Sequence, residues 1–309
     1  MNETSESALG IKPESLYLTV IDNLLDGVYF VNTERQITFW NKAAEEITGY
    51  QADEILGRCC QSNLLEHIDC DGRALCNLGC PLFASILDGR QRQDEVFLRH
   101  KDGYRILIHV NVFPIVENGK TIGAVEIFTP RMSTRHDYCR ANIVPATPFS
   151  NQTGSSSSNG EAESYIAYKL HDLKRSQNNF CVLFFTVDGI ESVNEKYGEE
   201  VAACLQENVF KSIFYNIRPS DHFSYWQERG FIGVFEVKKE YEATLLADKI
   251  RYLVEGSDVP SIIDNFSVTA SIGVTMANET DTIHTLVERA YGVMRKSEIA
   301  SGSRISSDG

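Results

Sequence analysis

The sequence predicts two domains of mixed structure: an antiparallel sheet with short helices (α+β), followed by a sheet covered by helices (α/β). Three observations support this prediction. The chain has 309 residues, 42% of them hydrophobic, which is enough for two ordinary cores. Short strand-like runs separated by turn residues fill residues 16–130. Residues 163–306 instead alternate helical patterns with buried-strand runs.

The first domain begins with a predicted hairpin. Residues 27–31 and 36–40 are rich in β-branched and aromatic side chains, and the polar residues 32–35 between them form a turn. Asn41 follows the second strand and is of the residue type that caps a helix. Apolar residues then recur at helical spacing, namely Ala43, Ala44, Ile47 and Tyr50. We therefore expect strand, strand and helix in that order.

A cysteine-rich stretch, which we expect to be helical, is followed by three more predicted strands. These lie at 94–100, 105–116 and 120–128. The turns between them contain Gly103 and Gly119 after polar residues, which is a strong hairpin signal. The first domain is therefore predicted to span residues 16–130, after a polar tail at 1–15.

This order of elements resembles the PAS family. The motifs that carry the resemblance are Asp26-Gly27-Val28, residues 37–44, Thr48-Gly49-Tyr50, and residues 54–57, 100–103 and 122–126. They arrive in the order and at the spacing of that family over about 115 residues. The resemblance implies a sensor domain with a ligand cavity.

Cysteines cluster in the region where PAS domains line that cavity. Five of the chain's eight cysteines fall between Cys59 and Cys80. Four residues there could supply soft ligands for zinc or an iron centre, or act as redox thiols: Cys60, His67, Cys76 and Cys80. Their spacing matches no common zinc finger. The alternative is that they are small buried apolar residues, so no cofactor is assigned.

Two cofactors are disfavoured by the same residues. Cys60 falls near the photoreactive cysteine of flavin-binding PAS relatives, but the Arg-Phe-Leu-Gln that normally follows is replaced by residues 61–64. A c-type haem is disfavoured because no Cys-x-x-Cys-His occurs in the chain.

Periodicity disappears over residues 131–162, which we predict to be a linker. Residues 151–160 are rich in Ser, Asn and Gly, a composition typical of flexible segments. A net charge of −14 disfavours binding to nucleic acid or anionic membrane surfaces. The first residues show no secretion signal, and no apolar run approaches the ~20 residues of a membrane span. We expect a cytoplasmic protein without membrane insertion.

The second domain begins with a predicted amphipathic helix at 164–174 and a buried strand at 181–187. Residues 188–198, 268–275 and 286–294 resemble three segments of the GGDEF family. The resemblance covers residues 163–306 and implies a sheet like that of the cyclase palm fold. Active members condense two GTP molecules into cyclic di-GMP as dimers. His67, Cys76, Cys80 and Pro81 also resemble a PAS subtype found upstream of GGDEF domains.

Several residues that the chemistry requires are replaced. Thr186 stands where the family has its first metal-binding aspartate, although the second, Asp188, is retained. Asn194 matches the asparagine that contacts guanine. Its partner aspartate and the phosphate-binding lysine are replaced, by Ala203 and Glu191 respectively. Carboxylates are needed to hold the metal ions of phosphoryl transfer, so half of this machinery is predicted to be lost.

The signature loop is also changed. Gln227 and Glu228 replace its two glycines, Arg229 and Gly230 replace its two acids, and Phe231 is retained as a core residue. A guanidinium at a metal-ligand position repels the cation, and side chains in place of glycines crowd the nucleotide. We therefore predict a degenerate domain without diguanylate cyclase activity.

One site of the family is retained at the expected spacing. Arg218 and Asp221 form the Arg-x-x-Asp motif that lies five residues before the signature and binds the product, cyclic di-GMP. Arg251 matches the second arginine of that site. Arginines can clamp phosphates and stack on guanine, and an aspartate accepts hydrogen bonds from the guanine edge. The alternative is a surface salt bridge without function.

Three hypotheses follow from these residues. The preferred one is a non-catalytic signalling protein of cyclic di-GMP pathways, which forms a homodimer and acts on an unknown downstream protein. The second is a weak or atypical cyclase, or a GTP-binding regulator, that uses Asp188 and Asn194. The third is a scaffold for dimerisation or partner docking that binds no nucleotide.

Overall fold

The computed structural model describes residues 13–62, 64–76, 79–131, 158–218, 220–226, 229–259, 268–299 and 304–307. Backbone contacts divide the chain into two compact units, with the main division after Arg131. Most of the predicted linker, at 132–157, and most of the predicted tail, at 1–12, lie outside the described residues. Within the described ranges, no helix has both the length and the apolarity to cross a membrane.

The first unit contains short helices and a sheet. Its elements are α1 (Pro13–Asp22), β1 (Gly27–Asn32), β2 (Ile37–Trp40), α2 (Lys42–Thr48), α3 (Ala52–Ile55), α4 (Pro81–Asp88), β3 (Arg92–Arg99), β4 (Arg105–Glu117) and β5 (Lys120–Pro130). The sheet order is β2-β1-β5-β4-β3, and the pairs β1–β2, β1–β5 and β4–β5 are antiparallel. This is the predicted antiparallel sheet with short helices.

Asn41 joins the hairpin to the helix that follows, as predicted. Its side chain is fully buried and accepts hydrogen bonds from the amides of Ala44 and Val28, at 2.9 and 2.8 Å. Its amide group donates to the carbonyls of Ile21 and Asp26. One side chain therefore caps α2 and holds the chain before β1 against it.

Two expectations about helices in this unit were wrong. The described residues between Cys59 and Cys80 form turns and isolated bridges, not a helix, so Cys76 and Cys80 do not share a helical face. Ile68 forms a bridge with Phe97 of β3 and another with Ala74 within the segment, and this strand-like pairing is incompatible with a helix at Ile68. Helix α1 begins at Pro13, inside the predicted tail.

The second unit has longer helices around another sheet. Its elements are α5 (Ser158–Ser176), β6 (Phe180–Asp188), α6 (Ile190–Tyr197), α7 (Glu199–Phe214), β7 (His222–Trp226), β8 (Gly230–Glu236), α8 (Glu240–Glu255), β9 (Thr269–Met276), α9 (Ile283–Ile299) and β10 (Arg304–Ser307). The sheet order is β10-β9-β6-β8-β7. Strand β10 runs parallel to β9, and the other pairs are antiparallel.

Helix α5 starts earlier than predicted. It begins at Ser158, inside the segment assigned to the linker, because Ala162 and Ile166 are fully buried in the core beside β6 and so extend the apolar face. Strand β6 is buried along nearly its whole length, as its continuous apolar run predicted. This central strand ends at Asp188, so that residue lies at the C-terminal end of β6.

Gly273 allows α9 to pack closely on β9. A Cβ atom at this position would lie 2.2 Å from the backbone nitrogen of Met294 and 2.7 Å from the carbonyl oxygen of Ala290. Both atoms belong to the helix backbone, which cannot move aside as a side chain can. Gly273 therefore allows the short distance between α9 and β9.

Candidate functional site

The end of β6, the start of β8 and one face of α9 line a pocket of the second unit. Its volume is about 540 Å³. Its lining residues include five charged side chains: Asp188, Glu191, Arg229, Arg295 and Glu298. This is the pocket where the family resemblance expects nucleotide and metal ions.

Asp188 is held by two hydroxyl groups of β9. Thr269 donates to one carboxylate oxygen and Ser271 to the other, both at 2.8 Å. The register of β6 and β9 places Thr269 opposite Asp188 and Ser271 opposite Thr186. Thr186 contributes a hydroxyl that lies 3.7 Å from the sulfur of Met294. Of the two positions at the end of β6 where the resemblance expects metal-binding aspartates, Asp188 thus offers a carboxylate, already hydrogen-bonded, and Thr186 offers a hydroxyl.

Arg229 lies in the same pocket and is paired with α9. Its guanidinium lies 2.5 Å from the Glu288 carboxylate and 4.7 Å from the centre of the Tyr291 ring. The hydrogen bond to Glu288 raises the pKa of Arg229. Gln227 and Glu228, the first residues of the signature loop, lie outside the described residues.

The end of the signature loop is a packing feature. Gly230 has a φ of 110°, and a Cβ atom there would lie 2.4 Å from the carbonyl oxygen of Phe185, so glycine is required by conformation and by space. Phe231 is buried and stacks on Phe185, with ring centres 4.8 Å apart. Its prediction as a core residue agrees with this position.

The remaining predicted nucleotide contacts do not converge on this pocket. Asn194 is exposed on α6 and is not among the lining residues. Glu191, which stands where the resemblance expects the phosphate-binding lysine, does line the pocket and brings a negative charge to it. Ala203 lies half-buried on α7. The pocket is therefore lined by Glu191 but not by Asn194.

Arg218 and Asp221 are brought together at the start of β7. The Asp221 carboxylate accepts a hydrogen bond from the backbone amide of Arg218 at 3.0 Å through Oδ2. Its other oxygen, Oδ1, is buried and has no hydrogen-bond partner within the described part of the chain. Burial raises the pKa of Asp221, although the Arg218 amide and guanidinium act in the opposite direction. The Arg218 side chain is exposed, and Pro219 lies outside the described residues.

Arg251 lies on α8, where its ion pairs are made with its own helix. Its guanidinium contacts the carboxylates of Glu255 at 2.9 Å and Asp248 at 3.3 Å, and lies 4.2 Å from the Tyr252 ring centre. Partial burial lowers the pKa of Arg251, but these carboxylates outweigh burial and raise it. The structure therefore joins Arg218 to Asp221 and places Arg251 in a separate ion-pair cluster.

A small cavity in the first unit collects the predicted sensor residues. It is lined by Tyr29, Arg35, Cys60, Gln61, Leu65, His67, Cys76 and Cys80. All four candidate metal or redox residues are thus brought to one place. Burial raises the pKa of the Cys60, Cys76 and Cys80 thiols. Among the described residues, however, no three His, Cys, Asp or Glu side chains stand in an arrangement that holds a metal.

Glu126 is a residue of this region that the sequence analysis missed. It is 2% exposed and lies directly opposite Tyr29 in the β1–β5 register. Burial raises its pKa to about 7, although a hydrogen bond with Tyr29 acts in the opposite direction. The signal was present in β5, where Ala124, Glu126 and Phe128 alternate toward the core.

The pocket of the second unit also contains residues that were not predicted. Tyr225, Tyr291, Arg295 and Glu298 line it, and Thr269 and Ser271 hold Asp188. Thr269 and Ser271 are two residues apart on an otherwise apolar strand, which is a visible signal for polar contacts on one face. The tyrosines and Glu298 gave no such signal, because they are brought in by the packing of distant elements.

Comparison with known proteins gives several partial matches. A bifunctional diguanylate cyclase/cyclic di-GMP phosphodiesterase, MucR of Pseudomonas aeruginosa, is 30% identical over 123 residues, which span 39% of this chain and 18% of that relative. The diguanylate cyclase SiaD of Pseudomonas aeruginosa, solved with its activator SiaC, is 17% identical and has a TM-score of 0.43, covering 48% of this chain and 57% of its own.

Two further solved structures match one part of the chain each. The coiled coil and GGDEF domain of DgcB from Caulobacter crescentus, solved with cyclic di-GMP, is 17% identical over 48% of this chain and 78% of its own, with a TM-score of 0.43. A PAS domain from Colwellia psychrerythraea is 22% identical over 38% of this chain and 97% of its own, with a TM-score of 0.33.

Family profiles match both halves of the chain. Residues 25–129 match the PAS domain, and residues 160–303 match the family described as diguanylate cyclase, GGDEF domain. The order agrees with the two sheets and their helices, and with the resemblance in the sequence. The chain therefore contains a PAS domain at residues 25–129 followed by a GGDEF domain at residues 160–303.

Proposed function

We propose that this chain is a non-catalytic signalling protein of cyclic di-GMP pathways. Its PAS domain receives an input, and its GGDEF domain binds cyclic di-GMP through Arg218, Asp221 and Arg251. The observation that carries the proposal is the Asp221 carboxylate, which has one oxygen bound to the Arg218 amide and the other buried without a partner in the described structure.

A buried acceptor without a partner costs free energy, about 1–3 kcal/mol. The edge of a guanine base carries N–H donors, from which a carboxylate such as that of Asp221 accepts hydrogen bonds. Because Oδ1 is buried, the Asp221 side chain must turn toward the surface to make this contact. The Arg218 guanidinium lies beside that carboxylate, and because it is exposed it can contact a phosphate. An unsatisfied acceptor next to an exposed cation matches the two chemical features of a guanine nucleotide.

Arg251 is the third residue of the proposed site, and its guanidinium is already engaged in ion pairs. Its guanidinium must leave Glu255 and Asp248 to contact a phosphate. Tyr252 beneath it provides a flat surface that keeps the guanidinium plane available for stacking on a base. Binding therefore exchanges one set of ion pairs for another, and Arg251 adds less affinity than an unpaired arginine would.

The other pocket supports the absence of catalysis in this proposal. Phosphoryl transfer needs metal ions that bridge the phosphates and neutralise developing charge. Here Asp188, the aspartate that the resemblance retains, already accepts hydrogen bonds from two hydroxyls, and Arg229 brings a positive charge to the same pocket. Glu191 and Glu298 add negative charge that repels a triphosphate.

Arg218→Ala is expected to weaken cyclic di-GMP binding roughly 10- to 100-fold, because a hydrogen bond to a charged group contributes about 1.5–3 kcal/mol. Isothermal titration calorimetry on the whole chain measures this change. Arg175→Ala removes an exposed arginine of α5 and serves as the charge-matched control. Absence of heat with the wild type, or a loss in Arg295→Ala in place of Arg218→Ala, contradicts the proposal, because Arg295 lines the other pocket.

A second candidate is a weak cyclase or GTP-binding regulator, which the volume of the 540 Å³ pocket favours. On the preferred proposal, incubation with GTP and Mg²⁺ or Mn²⁺ gives no cyclic di-GMP above the protein-free background, as measured by chromatography. Turnover that is abolished by Asn194→Ala would overturn the preference.

A homodimer and an unidentified downstream protein complete the proposal. Light scattering on the purified chain tests the dimer. A scaffold that binds no nucleotide predicts no thermal shift with either GTP or cyclic di-GMP.

A further inference from the structure

The first helix of the GGDEF domain is bonded to the turn that carries the proposed cyclic di-GMP site. Helix α5 is the first described element of that domain in the chain. The hydroxyl of Tyr165, in α5, donates to the backbone carbonyl of Ser220, the residue directly before Asp221. Tyr165 and Ser220 are 55 positions apart in the sequence, so this contact depends on tertiary packing.

The peptide group between Ser220 and Asp221 is held at both ends. Its carbonyl accepts the hydrogen bond from Tyr165, and its N–H group donates to the carbonyl of Arg218 at 2.9 Å. The Arg218 amide in turn donates to Oδ2 of Asp221 at 3.0 Å. Because a peptide group is planar, the bond to Tyr165 also fixes the direction of the N–H group that closes the turn. Tyr165 therefore stabilises the backbone conformation between the two residues of the site.

The ring of Tyr165 is itself held by two further contacts. It stacks on the imidazole of His222, the residue directly after Asp221, with ring centres 5.3 Å apart. The ammonium of Lys169, one helical turn further along α5, lies 5.4 Å from the centre of the Tyr165 ring. Lys169 is buried and forms an ion pair with Glu236 of β8. These contacts orient the phenol toward the turn.

The hydroxyl of Tyr165 keeps its proton and therefore acts as the donor. Burial raises the pKa of Tyr165, although the neighbouring Lys169 acts in the opposite direction. A backbone carbonyl can only accept, so the hydrogen bond to Ser220 requires this proton. Phenylalanine at this position would keep the ring and its contacts and would remove the hydrogen bond alone.

We propose that Tyr165 is a positioning residue of the cyclic di-GMP site and couples occupancy of this site to the position of α5. Since cyclic di-GMP binding is itself the proposed function, the coupling depends on it. To contact guanine, the Asp221 side chain must turn toward the surface, which takes Oδ2 away from the Arg218 amide. The turn then loses one of the three hydrogen bonds named above, so the bound form depends more on Tyr165 than the free form does.

Such a coupling acts in both directions. If the hydrogen bond of Tyr165 strengthens ligand binding by some factor, ligand binding strengthens that hydrogen bond by the same factor. Local opening of α5 breaks the bond, so a filled site makes this opening rarer. An input that moves α5 away from the turn therefore lowers the affinity for cyclic di-GMP.

Tyr165→Phe tests this proposal through ligand binding by the whole chain. The variant is expected to bind cyclic di-GMP roughly 3- to 10-fold more weakly than the wild type, which is the range of one hydrogen bond between neutral groups. Isothermal titration calorimetry measures the change. Tyr168→Phe is the matched control, because it removes one hydroxyl from the same helix at a residue that is 61% exposed. Its affinity should equal that of the wild type.

Hydrogen exchange followed by mass spectrometry gives a readout that a merely structural tyrosine would not change. In the wild type, saturating cyclic di-GMP is expected to slow exchange of the α5 amides by a factor similar to the affinity loss in Tyr165→Phe. In Tyr165→Phe, a saturating ligand is expected to leave the exchange of α5 unchanged.

The outcomes separate the coupling from the proposed function. If the wild type binds cyclic di-GMP without any change in α5 exchange, the coupling is wrong and the proposed function stands, whether or not a variant folds. The same holds if Tyr165→Phe binds as tightly as the wild type, or if Tyr168→Phe shows an equal loss. A wild type that binds no cyclic di-GMP overturns the proposed function and the coupling with it.

Discussion

Replacing Gly273 with alanine is expected to destabilise the GGDEF domain by about 3 kcal/mol, at the upper end of the usual cost of overpacking. The added Cβ would overlap the backbone of α9 at Met294 and Ala290, so the helix must move away from β9. Because Tyr291, Met294 and Arg295 line the larger pocket, the same movement should also reshape that pocket.

Chemical denaturation followed by tryptophan fluorescence measures this loss. The chain has two tryptophans, Trp40 in the PAS domain and Trp226 in the GGDEF domain, so a Trp40→Phe background reports the second domain alone. Gly292→Ala is the control on the same helix. No atom lies within 4 Å of a Cβ there, and alanine should stabilise the helix by about 0.5–1 kcal/mol. If Gly273→Ala has the same free energy of unfolding as the wild type, then α9 does not pack closely on β9 at Gly273.

Glu126→Gln is expected to stabilise the PAS domain by about 3 kcal/mol near pH 8 and to change its pH dependence. The pKa of Glu126 is raised from 4.5 to about 7 in the folded domain, and each unit corresponds to about 1.4 kcal/mol. The folded state therefore holds the proton more tightly than the unfolded state. The favourable contribution is fully present below the unfolded pKa of 4.5 and is lost as pH rises to about 7.

The neighbouring titratable groups of Glu126 are Tyr29 on β1 and the thiols of Cys60, Cys76 and Cys80. Burial raises the pKa of each of them, so they stay neutral across this window. Unfolding should be measured from pH 4.5 to about 8, using Trp40 fluorescence. Glu117→Gln, at an exposed position of β4, is the control. An equal pH dependence in the wild type and Glu126→Gln would contradict the buried carboxyl.

Features encoded by neighbouring residues were predictable from the sequence. The β1–β2 hairpin, the cap at Asn41 and the buried β6 each depend on turn residues, a side-chain type or a continuous apolar run. The start of α5 was missed because Ser158 and Gly160 suggest a linker, whereas the helix is stabilised by the burial of Ala162 against distant strands. Local propensity was overridden there by tertiary contact.

In the candidate sites, too, contacts between near neighbours in the sequence could be predicted, whereas contacts between distant residues could not. The pairing of Arg251 with Asp248 and Glu255 was visible in the sequence, since these residues are three and four positions apart on one helix. The hydroxyls that hold Asp188 require the register of β6 with β9, and the partnership of Glu126 with Tyr29 requires that of β1 with β5. Such registers join residues about 80 to 100 positions apart, which a pattern within a short window does not contain.

The ion pairs of Arg251 have a consequence for how the protein would respond to changing concentrations of cyclic di-GMP. Glu255 and Asp248 act as a permanently tethered competitor for the same guanidinium, present at a local concentration that no dilution changes. On the proposed function, they raise the threshold at which the receptor fills. Removing either carboxylate would then shift the working range of the receptor to lower messenger concentrations without altering any residue that touches the ligand.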